Sequence, residues 1–292
     1  MARISVLVWF LTVGTAVAEV PKVVTDIAPV HSLVASVMDG VGQPSLLLPA
    51  GASPHSHAMR PSDAQSLQDA AVVFWIGEAL TPWLHDSLEN LGENAQKVSL
   101  LDVPETIIHE AEDHSDHDHG HSHGPVDPHA WLDPQNAKIW LGEIARILSA
   151  ADPEHDKIYE ENALRAAAAL EKIEADTHDQ VSQVTGSIVV QHDALRYFEE
   201  RFSVETIGAI TNVDDAAPSA KRLKDLQGEL SGDQPVCLIV PTVGGAQDIK
   251  GLDRDVQISQ TDILGANLEA GPNLYADLLI DVAKAFTACG NI

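Results

Sequence analysis

Residues 109–123 read HEAEDHSDHDHGHSH, with six histidines (His109, His114, His117, His119, His121 and His123) set among Asp, Glu, Ser and Gly. Neutral imidazole is the commonest side-chain metal ligand, and it favours zinc, copper, nickel and cobalt over magnesium or calcium. The stretch has no apolar residue large enough to anchor a core. It is therefore expected to be a mobile loop that collects transition metal without holding one ion in one geometry. A solvated acidic linker would explain the carboxylates but not six imidazoles.

Three further histidines stand where a single ion could be held. His55 follows a turn in GASPHSHAMRPSD, His129 precedes a helix in DPHAWLDP, and His192 ends a strand in VVQHDALRYFE. Each falls at a loop on the rim of an α/β unit, where such proteins place ligand-binding groups. Three imidazoles and one oxygen, from water or a carboxylate, suit tetrahedral zinc. His57, two residues past His55, is an alternate ligand but not the expected one. His31 is read as a satisfied histidine at a helix start, and His85, His155 and His178 as solvated residues on helical faces. Hydrolase chemistry is not expected. His109-Glu110 begins the metalloprotease pattern, but Asp113 stands where H-E-x-x-H requires histidine, and no G-x-S-x-G elbow occurs.

The elements that must position these residues alternate in the manner of an α/β protein. Strands are expected at residues 23–26, 45–48, 72–76 and near 98, with helices at 29–38, 78–91 and a short one capped by Ser62 or Asp63. After Asp133-Pro134 one helix runs to Ser149, and a second, from about Asp152 to Val184, is long enough to bridge two lobes. Beyond it come strands at 187–190, 205–207, 236–240 and 256–258, with helices at 193–200, 218–230 and 271–288. The expected division is a signal peptide at 1–18, a first α/β lobe at 19–151 that includes the His-rich loop, a linking helix at 152–184 and a second α/β lobe at 185–292.

Composition narrows the partners. Seventeen Lys plus Arg against 44 Asp plus Glu give a net charge of −27, a surface that repels nucleic acid and anionic lipid. Arg3, an apolar run over residues 4–17 and Ala16-Val17-Ala18 before Glu19 read as a secretory signal. The run is short for a membrane span, so the expectation is export to a periplasm with no membrane insertion. Cys237 and Cys289 are the only cysteines, and in an oxidising compartment the pair is expected to form a disulfide.

Over essentially its whole mature length the chain resembles the zinc-binding solute-binding proteins of ABC importers (cluster A-I, the ZnuA type). The resemblance is carried by GASPHSHAMRPSD, the acidic His-rich insert, DPHAWLDP, QHDALRYFEERF and TDILGAN with LYADLL. It implies two α/β lobes joined by a long rigid helix, a C-clamp with Zn2+ in the cleft. It implies ligands at His55, His129 and His192, the first two from the first lobe and the third from the second. Asp262 is implied as an acidic contributor, either completing the shell or accepting a hydrogen bond from a ligand imidazole. The Cys237–Cys289 bridge also matches one in zinc-binding members. The manganese-binding relatives have a carboxylate in place of His192, so three imidazoles favour zinc. One departure is Val240-Pro241, where some relatives have Glu-Pro; no supporting carboxylate is expected there. The implied partners are an ABC zinc permease and its ATPase, with the chain itself a monomer. The alternatives are a periplasmic zinc buffer or metallochaperone without a transporter, and a manganese-binding relative.

Overall fold

A computed structural model describes residues 19–110, 126–211, 219–230, 235–242 and 256–290. The expected signal segment and His114, His117, His119, His121 and His123 lie outside the described residues.

The first half of the chain runs β1 (Val23–Thr25), α1 (Ala28–Val37), β2 (Ser45–Leu46), α2 (Pro61–Asp69), β3 (Val72–Trp75), α3 (Pro82–Asn90) and β4 (Gln96–Ser99). These strands form one sheet in the order β2-β1-β3-β4, with every pair parallel. Val72, Val73, Phe74 and Trp75 are all buried, the continuous apolar run expected of a parallel strand covered on both faces. Then come α4 (Pro134–Ala151) and α5 (Asp156–Val181). The second half is β5 (Ser187–His192), α6 (Arg196–Phe202), β6 (Gly208–Thr211), α7 (Ala220–Glu229), β7 (Val236–Pro241), β8 (Val256–Thr261) and α8 (Leu274–Cys289). Its sheet has the order β6-β5-β7-β8, again all parallel. Both lobes thus repeat one winding scheme, although their sequences show no repeat. In each, the scheme reverses direction beside the lobe's first strand, and such switch points open a crevice at the carboxyl ends of the strands.

Proline at the first helical position sets several starts: Pro61, Pro82 and Pro134 each supply a preset φ where no intrahelical N–H bond is needed. For that reason α3 begins at Pro82 and not at residue 78; the residues before it form a turn around Gly77, whose φ is +144°. At α2 the cap is also displaced from the expected residue. Arg60 is the N-cap, and Asp63, three residues in, accepts its backbone N–H at 2.9 Å.

The linking helix is shorter than expected. α5 has 26 residues, about 39 Å at about 1.5 Å per residue, because Asp152 to His155 make a turn that ends α4. His155 caps that turn, with Nδ1 2.7 Å from Asp152 Oδ2, and is half-buried instead of lying on a solvated helical face. His178 is exposed, as expected, whereas His85 is half-buried between Glu78 and Glu89. α5 packs against α1, α4 and α8, so it touches both lobes. One continuous apolar core runs through α1, α4, α5 and α8 and beneath both sheets. Across it, Ser32 Oγ of α1 accepts the Tyr275 N–H of α8 at 3.0 Å, and Ser36 Oγ donates to Pro272 O at 3.0 Å. Cys237 in β7 and Cys289 at the end of α8 form the expected disulfide, with both residues fully buried.

Candidate metal centre

Fold geometry delivers three histidines to one point. His192 is the last residue of β5, opposite Thr211 of β6, and so lies at the carboxyl edge beside the second lobe's switch point. His129 opens the short 3-10 turn of residues 130–132, closed by Leu132 N–H to His129 O at 3.0 Å. His55 stands on the long turn between β2 and α2. Their ligating nitrogens all lie within 4.8 Å of one another. His129 and His192 are buried and His55 is half-buried.

The distances match an ion. Nε2 of His192 and Nε2 of His129 are 3.3 Å apart. A tetrahedral ion with Zn–N bonds of about 2.0–2.1 Å holds its ligand nitrogens about 3.3–3.4 Å apart. The His55 ring sits edge-on to both others, with centroids 6.0 Å from His129 and 6.2 Å from His192.

Asp127 fixes one of these rings. Its Oδ1 accepts both the His129 backbone N–H at 3.0 Å and the Nδ1 proton at 2.8 Å. With Nδ1 assigned as the donor, Nε2 carries the free lone pair and points to the other two rings. This carboxylate was missed in reading the sequence, although the D-P-H spacing offered the signal: an acid two residues before a ligand can reach back to it. Trp131, Tyr197 and Arg201 were also missed. The indole of Trp131 packs on His129 with centroids 5.3 Å apart.

Asp262 follows β8, and it lines the same interlobe cavity as His192, a space of about 230 Å³. Its carboxylate is not part of the three-imidazole group. Oδ2 accepts the Asn267 N–H at 2.8 Å and Oδ1 that of Leu264 at 3.3 Å, while its own N–H donates to Asp281. Val240 and Pro241 line the cavity as apolar wall, so no carboxylate stands there.

The remaining histidines are placed elsewhere. The His57 ring meets Trp83 edge-on at 5.0 Å and lies 3.9 Å from Asp63, outside the cluster. His31 Nε2 is 3.2 Å from Pro44 O, and burial pushes its pKa down. His109 begins the His-rich loop but is anchored. Its ring lies against Tyr197 with centroids 4.4 Å apart, and its Nε2 is 3.4 Å from Glu200. Just past it, Glu110 and Val126, the described residues on either side of 111–125, form an antiparallel bridge.

Comparison with known proteins agrees with this architecture. Residues 23–289 match the family model described as zinc-uptake complex component A, periplasmic. The high-affinity zinc uptake system protein ZnuA of Paracoccus denitrificans is 36% identical, with 99% of each chain covered. Its counterpart from Brucella abortus is 32% identical over 94% of each. Among solved structures, a zinc-bound ZnuA lacking residues 138–173 of its own sequence has a TM-score of 0.75 at 19% identity, covering 93% of this chain and 98% of that one. Two parallel α/β lobes, a 26-residue linking helix and a match running from the first strand to the last helix lead to one conclusion: the chain belongs to the ZnuA family of periplasmic zinc-uptake components.

Proposed function

We propose that this chain captures Zn2+ between its two lobes and delivers it to an ABC zinc permease and its ATPase. The observation that carries the reading is the convergence of His55, His129 and His192 within 4.8 Å at the interlobe cleft. Three neutral imidazoles form a borderline-soft donor set that suits zinc and disfavours manganese, which prefers carboxylate oxygen. The fourth ligand is an oxygen. Water fits the arrangement, and Asp262 is the alternative, since each of its oxygens accepts one amide, from Leu264 and Asn267, and keeps a second lone pair. The chain works as a periplasmic monomer after loss of residues 1–18. The His-rich loop gathers zinc and passes it inward by ligand exchange.

Competitive zinc titration tests the reading. The chain from Glu19 should show one tight site that survives deletion of residues 111–125 and weakens sharply in His192→Ala. If binding vanished with the loop and ignored His192, the protein would be a His-tract buffer and the importer reading would fall. Co-purification with a permease separates delivery from buffering.

A further inference from the structure

Chain order assigns His129 to the first lobe. The hydrogen bonds assign it otherwise. Tyr197 of α6 donates its hydroxyl proton to Asp127 O at 2.9 Å and accepts the His109 N–H at 3.0 Å. Trp131 Nε1 donates to Ile263 O at 2.8 Å, and Tyr275 of α8 donates its hydroxyl to Trp131 O at 2.6 Å. Arg201 of α6 forks onto the Asp133 carboxylate at 2.7 and 2.8 Å. These attachments bracket His129 on both sides, and each reaches into the second lobe. Trp131, Tyr197 and Tyr275 are buried in the core shared with α8. The bracket also ties back to residues 107–110, which are held by α6, through Tyr197 and through Arg196 Nη1 to Glu110 O at 2.6 Å, and by Asn136 of α4, which bonds Ile107 and donates to Ala130 O at 3.0 Å.

The turn bearing His55 is anchored to the first lobe. Trp83 Nε1 donates to Pro54 O at 2.7 Å, and Arg60 Nη2 donates to Leu47 O at 3.3 Å. Between this turn and the second lobe lies the 230 Å³ cavity, lined by Pro49, Gly51 and Ser53 on one side and by His192, Thr211 and Asp262 on the other. Displacing His129 would leave buried donors and acceptors unmet. The turn, by contrast, borders a space that already exists, so it can shift at the cost of the Trp83 and Arg60 bonds.

We propose that His129 and His192 form one rigid half-site carried by the second lobe, with Tyr197 and Trp131 as positioning residues, and that His55 closes on this pair to capture zinc and withdraws to release it. The inference rests on the zinc reading above and replaces motion of whole lobes, which the shared core opposes, with motion of one turn. Tyr197 acts through Asp127, and Trp131 through the backbone on which His129 sits.

The test is competitive zinc titration of the chain from Glu19, of His55→Ala and of His192→Ala, each with and without Tyr197→Phe. The unsubstituted chain reports on the zinc reading: absence of a tight site there overturns that reading and this inference with it. Given a tight site, His55→Ala should keep a weaker two-imidazole site at least about tenfold tighter than the site left in His192→Ala, because its two ligands are already in place. Tyr197→Phe should weaken zinc about tenfold, by the same factor with or without His55, and should shift the cobalt(II) absorption bands in both backgrounds. Equal losses in His55→Ala and His192→Ala would overturn the proposal, as would a His55→Ala site indifferent to Tyr197→Phe. Should Tyr197→Phe fail to fold by thermal melting, the comparison of the two histidine variants still decides.

Discussion

Replacing Asp127 by alanine should weaken zinc without touching a ligand. Asp127 is buried, and its Oδ1 receives two hydrogen bonds from His129, one from the backbone at 3.0 Å and one from Nδ1 at 2.8 Å. The second bond selects the tautomer that leaves Nε2 unprotonated and fixes the ring plane with Nε2 3.3 Å from that of His192. Without the carboxylate, metal binding must itself select the tautomer and orient the ring, and the ligand loses basicity. Loss of such outer-shell partners typically costs about 10–100-fold in metal affinity, or about 1.4–2.7 kcal/mol. Asp127→Asn retains a carbonyl acceptor and should lose less. The assay is competition against a chromophoric chelator near neutral pH, with a thermal melt of each metal-free variant to establish that it folds. A folded Asp127→Ala protein that binds zinc within about twofold of the unsubstituted chain would refute the tautomer argument, since the smallest outer-shell loss is about tenfold.

Three other outcomes are expected. Protons compete with zinc for imidazole, so affinity should fall steeply below about pH 6; a titration series that stays flat from about pH 7.5 to about pH 5 would contradict the three-histidine site. Burial pushes the Asp26 carboxyl up to about 7, despite amide bonds from Ile27 and Ile76 at 2.8 Å each. Because its folded value lies above that of the unfolded chain, the stability it contributes is full below about pH 4 and is lost as pH rises through about 7. Denaturant unfolding of the metal-free protein should therefore lose ground relative to Asp26→Asn between those limits, and a constant difference would show that the carboxyl stays ionised. Reduction of Cys237–Cys289, 52 residues apart, should cost about 2–4 kcal/mol in the same assay; no shift in the unfolding midpoint would mean that the packing of β7 on α8 suffices alone.

The alternation of lobes and the three clustered histidines were legible because they depend on short-range pattern. Apolar runs mark buried parallel strands, prolines mark helix starts, His192 ends such a run and His55 lies on the turn that follows another. Register was less legible. The sequence places a strand at 205–207, but pairing with β5 up to His192 requires Gly208–Thr211. Gly208 is where α7 crosses closely: a Cβ there would lie 2.5 Å from the Arg222 guanidinium. The supports of the site were not legible. Tyr197 lies 70 residues from Asp127, and Trp131 lies 132 residues from Ile263. Nothing local in either segment announces its partner. Asp262 illustrates the same limit. Its position beside the cleft followed from resemblance, whereas the amides that occupy its carboxylate belong to the turn after β8.

The bridge between Glu110 and Val126 has a use outside the protein's own task. Because Glu110 and Val126 pair in an isolated bridge, chain leaving at residue 110 returns a few ångströms away whatever lies between. A foreign domain whose termini are close together can therefore replace residues 111–125 without prising the bridge apart. Its attachment point is one residue from Asp127, which hydrogen-bonds the His129 imidazole. A fluorescent protein grafted there would be mechanically tied to the histidine it reports on, which makes the bridge the natural insertion point for a genetically encoded zinc sensor.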